Sequence, residues 1–258
     1  MKILVTGAAG RVGTELCREL AYSHTVRGLD VRPAVDPPDE FIEGTVADWD
    51  TVKRAVDGMD AVSHLAIHSP GEAAHQPYQD YLQADVDIGV KGTDMLLYAA
   101  KESGLRRFVY SSSLNVYSAR YPAEGEFLSD KDETLAGEHY GTIKWLAEEL
   151  CRHYALQREL STIVLRFNSV TFPAVWAESG KDMKDPGYAS TRVHVKDVVR
   201  AVRLALETEG AEWGRCLISG SNPEKRYDTR TATDLIGFTA RYGFAPGKMF
   251  LDGVEIEA

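Results

Sequence analysis

A doubly wound, parallel α/β sheet is the fold this sequence predicts, and three observations predict it. Short strand-like apolar runs alternate with segments of helical periodicity through the first two-thirds of the chain. Three glycines, Gly7, Gly10 and Gly13, fall between the first strand-like run and the first helix-like one. The chain has 258 residues, of which 44% are apolar and 26% charged, a composition that suits one core rather than two. Strands separated by helices of 10–20 residues need crossovers, and crossovers cover both faces of a parallel sheet. The expected architecture is therefore a Rossmann-type sheet with a small, reduced C-terminal region, all within a single domain over 1–258.

The elements follow in order. Lys2 to Thr6 is an apolar run ending at Gly7, and segment 11–22 places Val12, Leu16 and Leu20 at helical spacing. Thr25 to Asp30 reads as a second strand, and Pro33, Pro37 and Pro38 then break the pattern. Segment 49–58 is a short helix and Ala61 to Ala66 a buried strand. One long helix is expected over about 79–102, carrying Leu82, Val86, Val90, Leu96, Leu97 and Ala100, with Gly104 as its stop. Phe108 to Ser111 is a strand, 138–157 a helix, Thr162 to Phe167 a strand, 195–207 a helix and 216–219 a strand. The chain beyond about residue 168 is richer in loops. The substrate-binding part is expected mainly in 168–192 and 220–258.

The glycine loop carries the first chemical signal. Gly7 permits a tight turn, Gly10 lets the backbone approach a pyrophosphate, and Gly13 lets the following helix press on the sheet. A helix starting near Arg11 and Val12 aims unpaired N–H groups and a partial positive charge at phosphates. A glycine triplet alone is weak, but strand, loop and helix stand in the order a dinucleotide site requires. Asp30 ends the second strand 17 residues after Gly13. A carboxylate there accepts hydrogen bonds from ribose hydroxyls and repels a 2′-phosphate, which favours NAD as cofactor. Arg11 and Arg32 keep NADP as the alternative, since a guanidinium can pair with that phosphate.

Tyr140 and Lys144 sit four residues apart at the start of a helical stretch, hence on one face. A free phenol is a poor base at neutral pH, with a pKa near ~10. A neighbouring ammonium and a positively charged nicotinamide favour the phenolate, which can take a proton from an alcohol as hydride leaves. Ser111, Ser112 and Ser113 end a preceding strand, and ligands in such sheets bind beyond the carboxyl ends of strands. A serine hydroxyl there can stabilise charge developing on a substrate oxygen.

Other classes are disfavoured. With 29 basic and 39 acidic residues the net charge is -10, and the densest basic spot is only Arg106–Arg107, so nucleic acid is not an expected partner. No apolar run approaches the roughly 20 residues needed to cross a bilayer, and the N-terminal run is too short for a leader peptide. Cys17, Cys151 and Cys216 are scattered and odd in number, which suits small buried hydrophobes in a reducing cytoplasm. His64 and His68 straddle a strand end, and packing is expected of His64 rather than metal ligation; no metal is expected. The tryptophans Trp49, Trp145, Trp176 and Trp213 are expected in the core or at its rim.

At these residues the chain resembles the extended short-chain dehydrogenase/reductase superfamily, and within it the NAD-dependent epimerase/dehydratase family. TGAAGRVG (6–13) is similar to the family's TGxxGxxG, His64-Leu65-Ala66 to its HLA motif, and GVKGT (89–93) with LLYAA to its NVxGT…LLxAA helix. YSSSLNVY (110–117) resembles the strand whose last serine is catalytic, YGTIK (140–144) resembles YxxSK, and VHVKDV (193–198) resembles the HVDD segment. YDTRTATDLIGF (227–238) is similar to the family's C-terminal ending. The resemblance implies Ser113, Tyr140 and Lys144 as catalytic residues. It implies a cofactor groove of Gly7, Gly10, Arg11, Val12, Gly13, Asp30, Thr45, Val46, Leu65, Ala66, Tyr140 and Lys144. Departures are Gly89 for asparagine, Thr45 for an aspartate, Ile143 for serine, Phe172 for a glycine, and Ser118 for a glycine.

Nucleotide-sugar enzymes of the family usually carry a larger C-terminal region, so a smaller substrate is expected. Length and layout are similar to uronate dehydrogenases, which oxidise the C1 hydroxyl of a free uronic acid. Arg166 or Arg192 could pair with a substrate carboxylate, although Arg166 lies in a family strand motif and reads better as structural. The expected function is an NAD-dependent oxidoreductase acting on a hydroxyl of a sugar or sugar acid. An epimerase or dehydratase that returns the hydride internally is one alternative, and a non-catalytic dinucleotide-binding regulator another. The two long helices could pair in a homodimer, as they do in relatives.

Overall fold

Seven parallel strands form the central sheet of this computed structural model, in the order β3-β2-β1-β4-β5-β6-β9. They are β1 (Lys2–Thr6), β2 (Thr25–Asp30), β3 (Glu40–Glu43), β4 (Ala61–His64), β5 (Arg107–Ser113), β6 (Ser161–Phe167) and β9 (Trp213–Ile218). The helices are α1 (Arg11–Ala21), α2 (Trp49–Val56), α3 (Tyr78–Val86), α4 (Thr93–Glu102), α5 (His139–Leu156), α6 (Pro186–Ser190), α7 (Val195–Glu207) and α8 (Arg230–Ile236). The structure describes residues 1–68, 77–119, 126–174, 186–222 and 226–256.

Two apolar layers sandwich the sheet. On one face Leu16, Cys17 and Leu20 of α1 pack with Val198, Val202 and Ala205 of α7 over Ile3, Val5 and Ile163. On the other, Val52 and Ala55 of α2, Leu96 and Leu97 of α4 and Ala147 and Cys151 of α5 cover Leu4, Val62 and Phe108. Strand residues alternate between the layers, as the pleat requires. The strand order reverses between β1 and β4, so the carboxyl ends of the strands open a crevice there.

Several boundaries differ from the sequence reading. The helix expected over 79–102 is interrupted: a π-helical turn, Asp87–Gly92, separates α3 from α4. Gly89 and Gly92 sit in that turn, and a Cβ on Gly92 would lie 2.7 Å from Val46 Cγ2, so the wide turn lets this segment approach the groove. Strand β4 stops at His64, because Leu65 and Ala66 turn into the loop that borders the groove. The last strand of the sheet is Trp213–Ile218 rather than 216–219, paired with β6 from Thr162 onward. Strand β3 was not expected, since EFIE is short and charged at both ends.

Beyond β6 lie a two-stranded pair, β7 (Ser169–Thr171) with β8 (Arg192–His194), and a small antiparallel sheet, β10 (Tyr242–Ala245), β11 (Lys248–Leu251) and β12 (Val254–Ile256). Asp197, buried in the first turn of α7, accepts the backbone N–H groups of Arg241 and Tyr242 and so ties the small sheet to that helix. His194 caps α7 through Nδ1, which accepts Lys196 N–H, and stacks on Tyr242 at 3.9 Å between ring centroids. Burial pushes its imidazole down to about 4.

Candidate active site

The glycine loop has the shape its residues require. Gly7 is in the left-handed region at φ +73° and a Cβ there would meet Ala66 N at 2.9 Å. A Cβ on Gly13 would lie 2.0 Å from the Gly7 carbonyl oxygen, so only glycine lets α1 begin this close to the loop. Gly10 caps α1 without a side-chain hydrogen bond, which leaves the first-turn N–H groups directed outward, an anion site by construction. Asp30 is buried at the end of β2. Its Oδ2 accepts Ala9 N–H at 3.0 Å and its Oδ1 accepts Arg32 N–H at 3.1 Å. The Arg11 guanidinium sits over the Phe172 ring, 4.0 Å from its centroid, so the departure at Phe172 supplies a seat for it.

One cavity of about 800 Å³ runs from this loop across the sheet's carboxyl edge. Gly7, Gly10, Arg11, Val12, Gly13, Asp30, Thr45, Val46, Leu65 and Ala66 line it, and so do Ser113, Tyr140 and Lys144. Every residue anticipated for the cofactor and for catalysis thus borders a single space. Of the expected substrate-binding part, Asn168, Ser169, Val170, Phe172, Thr191 and Tyr227 reach the cavity. The small sheet of β10 to β12 contributes none of its lining residues, and 175–185 and 223–225, with Trp176, lie outside the described residues.

Behind the loop, His64 is a satisfied core residue. Thr93 Oγ1 donates to the Gly89 carbonyl and therefore accepts from His64 Nε2–H, leaving Nδ1 to accept from Thr6 Oγ1 at 2.7 Å. Burial holds this imidazole neutral, its pKa pushed down to about 3. The three cysteines are buried, and burial pushes the Cys17 and Cys216 thiols up to about 12.

The proton-transfer group sits where β5 ends and α5 begins. Ser113 Oγ accepts Asn115 N–H at 3.1 Å and shares the cavity wall with Tyr140. Lys144, one turn along α5, is buried and donates from Nζ to the Ser111 carbonyl at 2.7 Å. In the protein alone, burial acts on the phenol more strongly than this ammonium does. Nζ lies 5.8 Å from the centre of the Tyr140 ring and spends a hydrogen bond on the strand, while burial pushes the phenol up to about 12 against the opposing pull of the nearby Ser113 hydroxyl. Burial also brings the Lys144 ammonium down to about 8.

A buried ion pair fixes these pieces. Glu148, one turn beyond Lys144, accepts Arg166 Nη2–H at 2.6 Å and Nε–H at 2.9 Å, and both side chains have no solvent exposure. Ser112 Oγ donates to the same carboxylate, and Arg166 also donates to the Tyr117 hydroxyl. Arg166 is therefore structural, and Arg192 is not among the lining residues. Losing one partner of such a pair costs about 3–5 kcal/mol. Sequence reasoning missed Glu148, although its i+4 spacing from Lys144 was a usable signal.

With this geometry in view, comparison with known proteins is decisive on the family. The model of the NAD dependent epimerase/dehydratase family matches residues 3–182. The chain belongs to that family. It is 35% identical over 138 residues to a 3 beta-hydroxysteroid dehydrogenase/Delta 5-->4-isomerase of Mycobacterium tuberculosis, covering 52% of this chain and 36% of that protein. It is 27% identical over 240 residues to a uronate dehydrogenase of Pseudomonas syringae pv. tomato, covering 91% of this chain and 80% of that one. Among solved structures, MoeE5 in complex with UDP-glucuronic acid and NAD superposes with a TM-score of 0.78 at 25% identity, over 96% of each chain. As a member of this NAD-dependent family the protein is an enzyme with NAD as its cofactor. The glycine cradle, uncapped helix start and strand-end carboxylate all fit that group.

Proposed function

We propose that the protein oxidises a hydroxyl of a sugar or sugar acid. The supporting observation is that Ser113, Tyr140 and the buried Lys144 one helical turn beyond it stand together at the wall of the dinucleotide groove. In this reading Arg11, Val12 and Gly13 N–H groups hold the pyrophosphate, Asp30 takes the adenosine ribose, and Thr45, Val46, Leu65 and Ala66 flank the dinucleotide. Bound NAD supplies the hydride-accepting ring and a positive charge beside the phenol. Ser113 Oγ donates to the substrate oxygen. Tyr140 takes the hydroxyl proton as the carbon loses hydride, so the alcohol becomes a carbonyl, and Lys144 steadies the ribose and the phenolate.

The rest of the cavity wall mixes apolar residues such as Ile67, Leu114, Phe167 and Val198 with polar ones. Asn115, Asn168, Ser169 and Thr191 bring polar groups to the cavity wall within reach of a hydroxylated substrate. The uronate dehydrogenase is matched over 91% of this chain and 80% of its own. The substrate region is assigned to Asn168 through Arg192 with 220–258. The exposed Tyr98 of α4 and Trp145 and Leu146 of α5 suit a helix-on-helix homodimer.

The test is NADH formation from NAD with D-glucuronate, D-galacturonate, neutral hexoses, UDP-glucuronate and a 3β-hydroxysteroid. Steady NADH growth with a free sugar or sugar acid is expected, and Tyr140→Phe is expected to lose at least a hundredfold in kcat while still binding NAD. Turnover of the steroid alone, product without net NADH, or a fully active Tyr140→Phe would each overturn the assignment.

A further inference from the structure

A second cluster of ionisable side chains lies beside Tyr140 and takes no part in the chemistry above. Asp85, near the end of α3, is buried, and its neighbours come from three elements. Its Oδ1 is 3.3 Å from His68 Nδ1, and its Oδ2 is 3.4 Å from Nε2 of His139, the residue before Tyr140. Burial, and the charge of Asp85, raise the Tyr81 phenol above its ordinary pKa. The Tyr81 ring lies 5.4 Å from that of His68 and 6.1 Å from that of His139, boxing the carboxylate in. Burying a carboxylate is costly unless it is hydrogen-bonded, so the cluster is an investment that needs a reason.

His68 differs from the other members because it lines the cavity that also holds Tyr140 and Ser113. We propose that His68 is a specificity-determining residue, and that Asp85 sets its tautomer so that Nε2 accepts a hydrogen bond from a substrate hydroxyl. A carboxylate can only accept, so the ring nitrogen facing Asp85 carries the imidazole proton. The other nitrogen of the neutral ring is then an acceptor. An acceptor fixed on a packed ring recognises O–H and gives nothing to a hydrocarbon or to a carboxylate. The inference rests on the sugar reading above and deepens it: besides the hydroxyl that is oxidised, the substrate must present a second one. A substrate lacking that hydroxyl would leave Nε2 desolvated and unpaired, which is how a polar site rejects a close analogue.

The experiment uses the enzyme with NAD and the hexuronate it turns over best, together with monodeoxy hexuronates. His68→Phe is expected to raise the hexuronate KM at least tenfold, with kcat within about threefold and the NAD KM unchanged. His68→Gln, whose Oε1 can also accept, is expected to recover most of the loss. Wild type should lose at least tenfold in kcat/KM on one deoxy analogue, and His68→Phe should lose nothing further on it. An unchanged hexuronate KM in His68→Phe overturns the assignment while the sugar reading stands. So does equal damage to NAD and hexuronate binding in both variants, the mark of a purely structural clasp. If wild type oxidises no sugar or sugar acid, the sugar reading itself fails and the role of His68 falls with it.

Discussion

His64 offers a quantitative test of how the core supports the cofactor loop. Its ring is sealed between Thr6 and Thr93, and burial depresses its pKa from 6.5 to about 3. The unfolded chain takes up a proton near pH 6.5, while the folded chain refuses it until about pH 3. Stability is therefore full above pH 6.5 and is lost as the pH falls toward 3, because the unfolded state binds more protons throughout that window. At about 1.4 kcal/mol per pH unit below the unfolded pKa, His64 alone removes about 2 kcal/mol between pH 7 and pH 5. His64→Gln retains an N–H donor toward Thr93 but does not titrate. Urea denaturation at pH 7, 6 and 5 should show wild type losing about 2 kcal/mol more than the variant over that interval. The carboxylates held low by hydrogen bonds, Asp228 at about 2 among them, titrate below this window and do not mask the difference. Parallel stability curves for the two proteins would refute the reasoning.

Two further outcomes follow from close contacts. Gly13→Ala places a methyl 2.0 Å from the Gly7 carbonyl oxygen, backbone against backbone. It should destabilise by about 1–3 kcal/mol and weaken NAD binding at least tenfold, read by calorimetry. Gly89 and Ile143 depart together from the family pattern, and a Cβ on Gly89 would lie 2.3 Å from Ile143 Cγ2. Gly89→Ala alone should be destabilising, and Gly89→Ala combined with Ile143→Ala should cost at least about 1 kcal/mol less than the sum of the single changes. Additive values would show that the two positions are not coupled.

The sheet and the groove were legible because their signals are local. Apolar runs, the glycine triplet and the Tyr140–Lys144 spacing each occupy a few consecutive residues, and the parallel order then brings their ends together. The π turn at Asp87–Gly92 was not legible, since helical periodicity through Val86 and Val90 masks a one-residue widening that only packing against Val46 reveals. Strands β10 to β12 are three or four residues long, too short for alternation to register. The spacing of Tyr140 and Lys144 puts them on one helix face, but the burial acting on the phenol was not legible, because desolvation depends on neighbours supplied by distant segments. His68 and Asp85 stand 17 residues apart with no pattern linking them, and only the fold makes them a pair.

On the function proposed above, Asp30 does two jobs with one carboxylate. Before any nucleotide arrives, its oxygens already tether Ala9 and Arg32, so the side chain that would choose between ribose hydroxyls and a phosphate also sculpts the loop that cradles the diphosphate. Converting the enzyme to the phosphorylated coenzyme by a single exchange at this position would cut those tethers at the same stroke. Selectivity and loop shape are thus inherited together, and an evolving or engineered lineage must replace the clamp before it can change the preference.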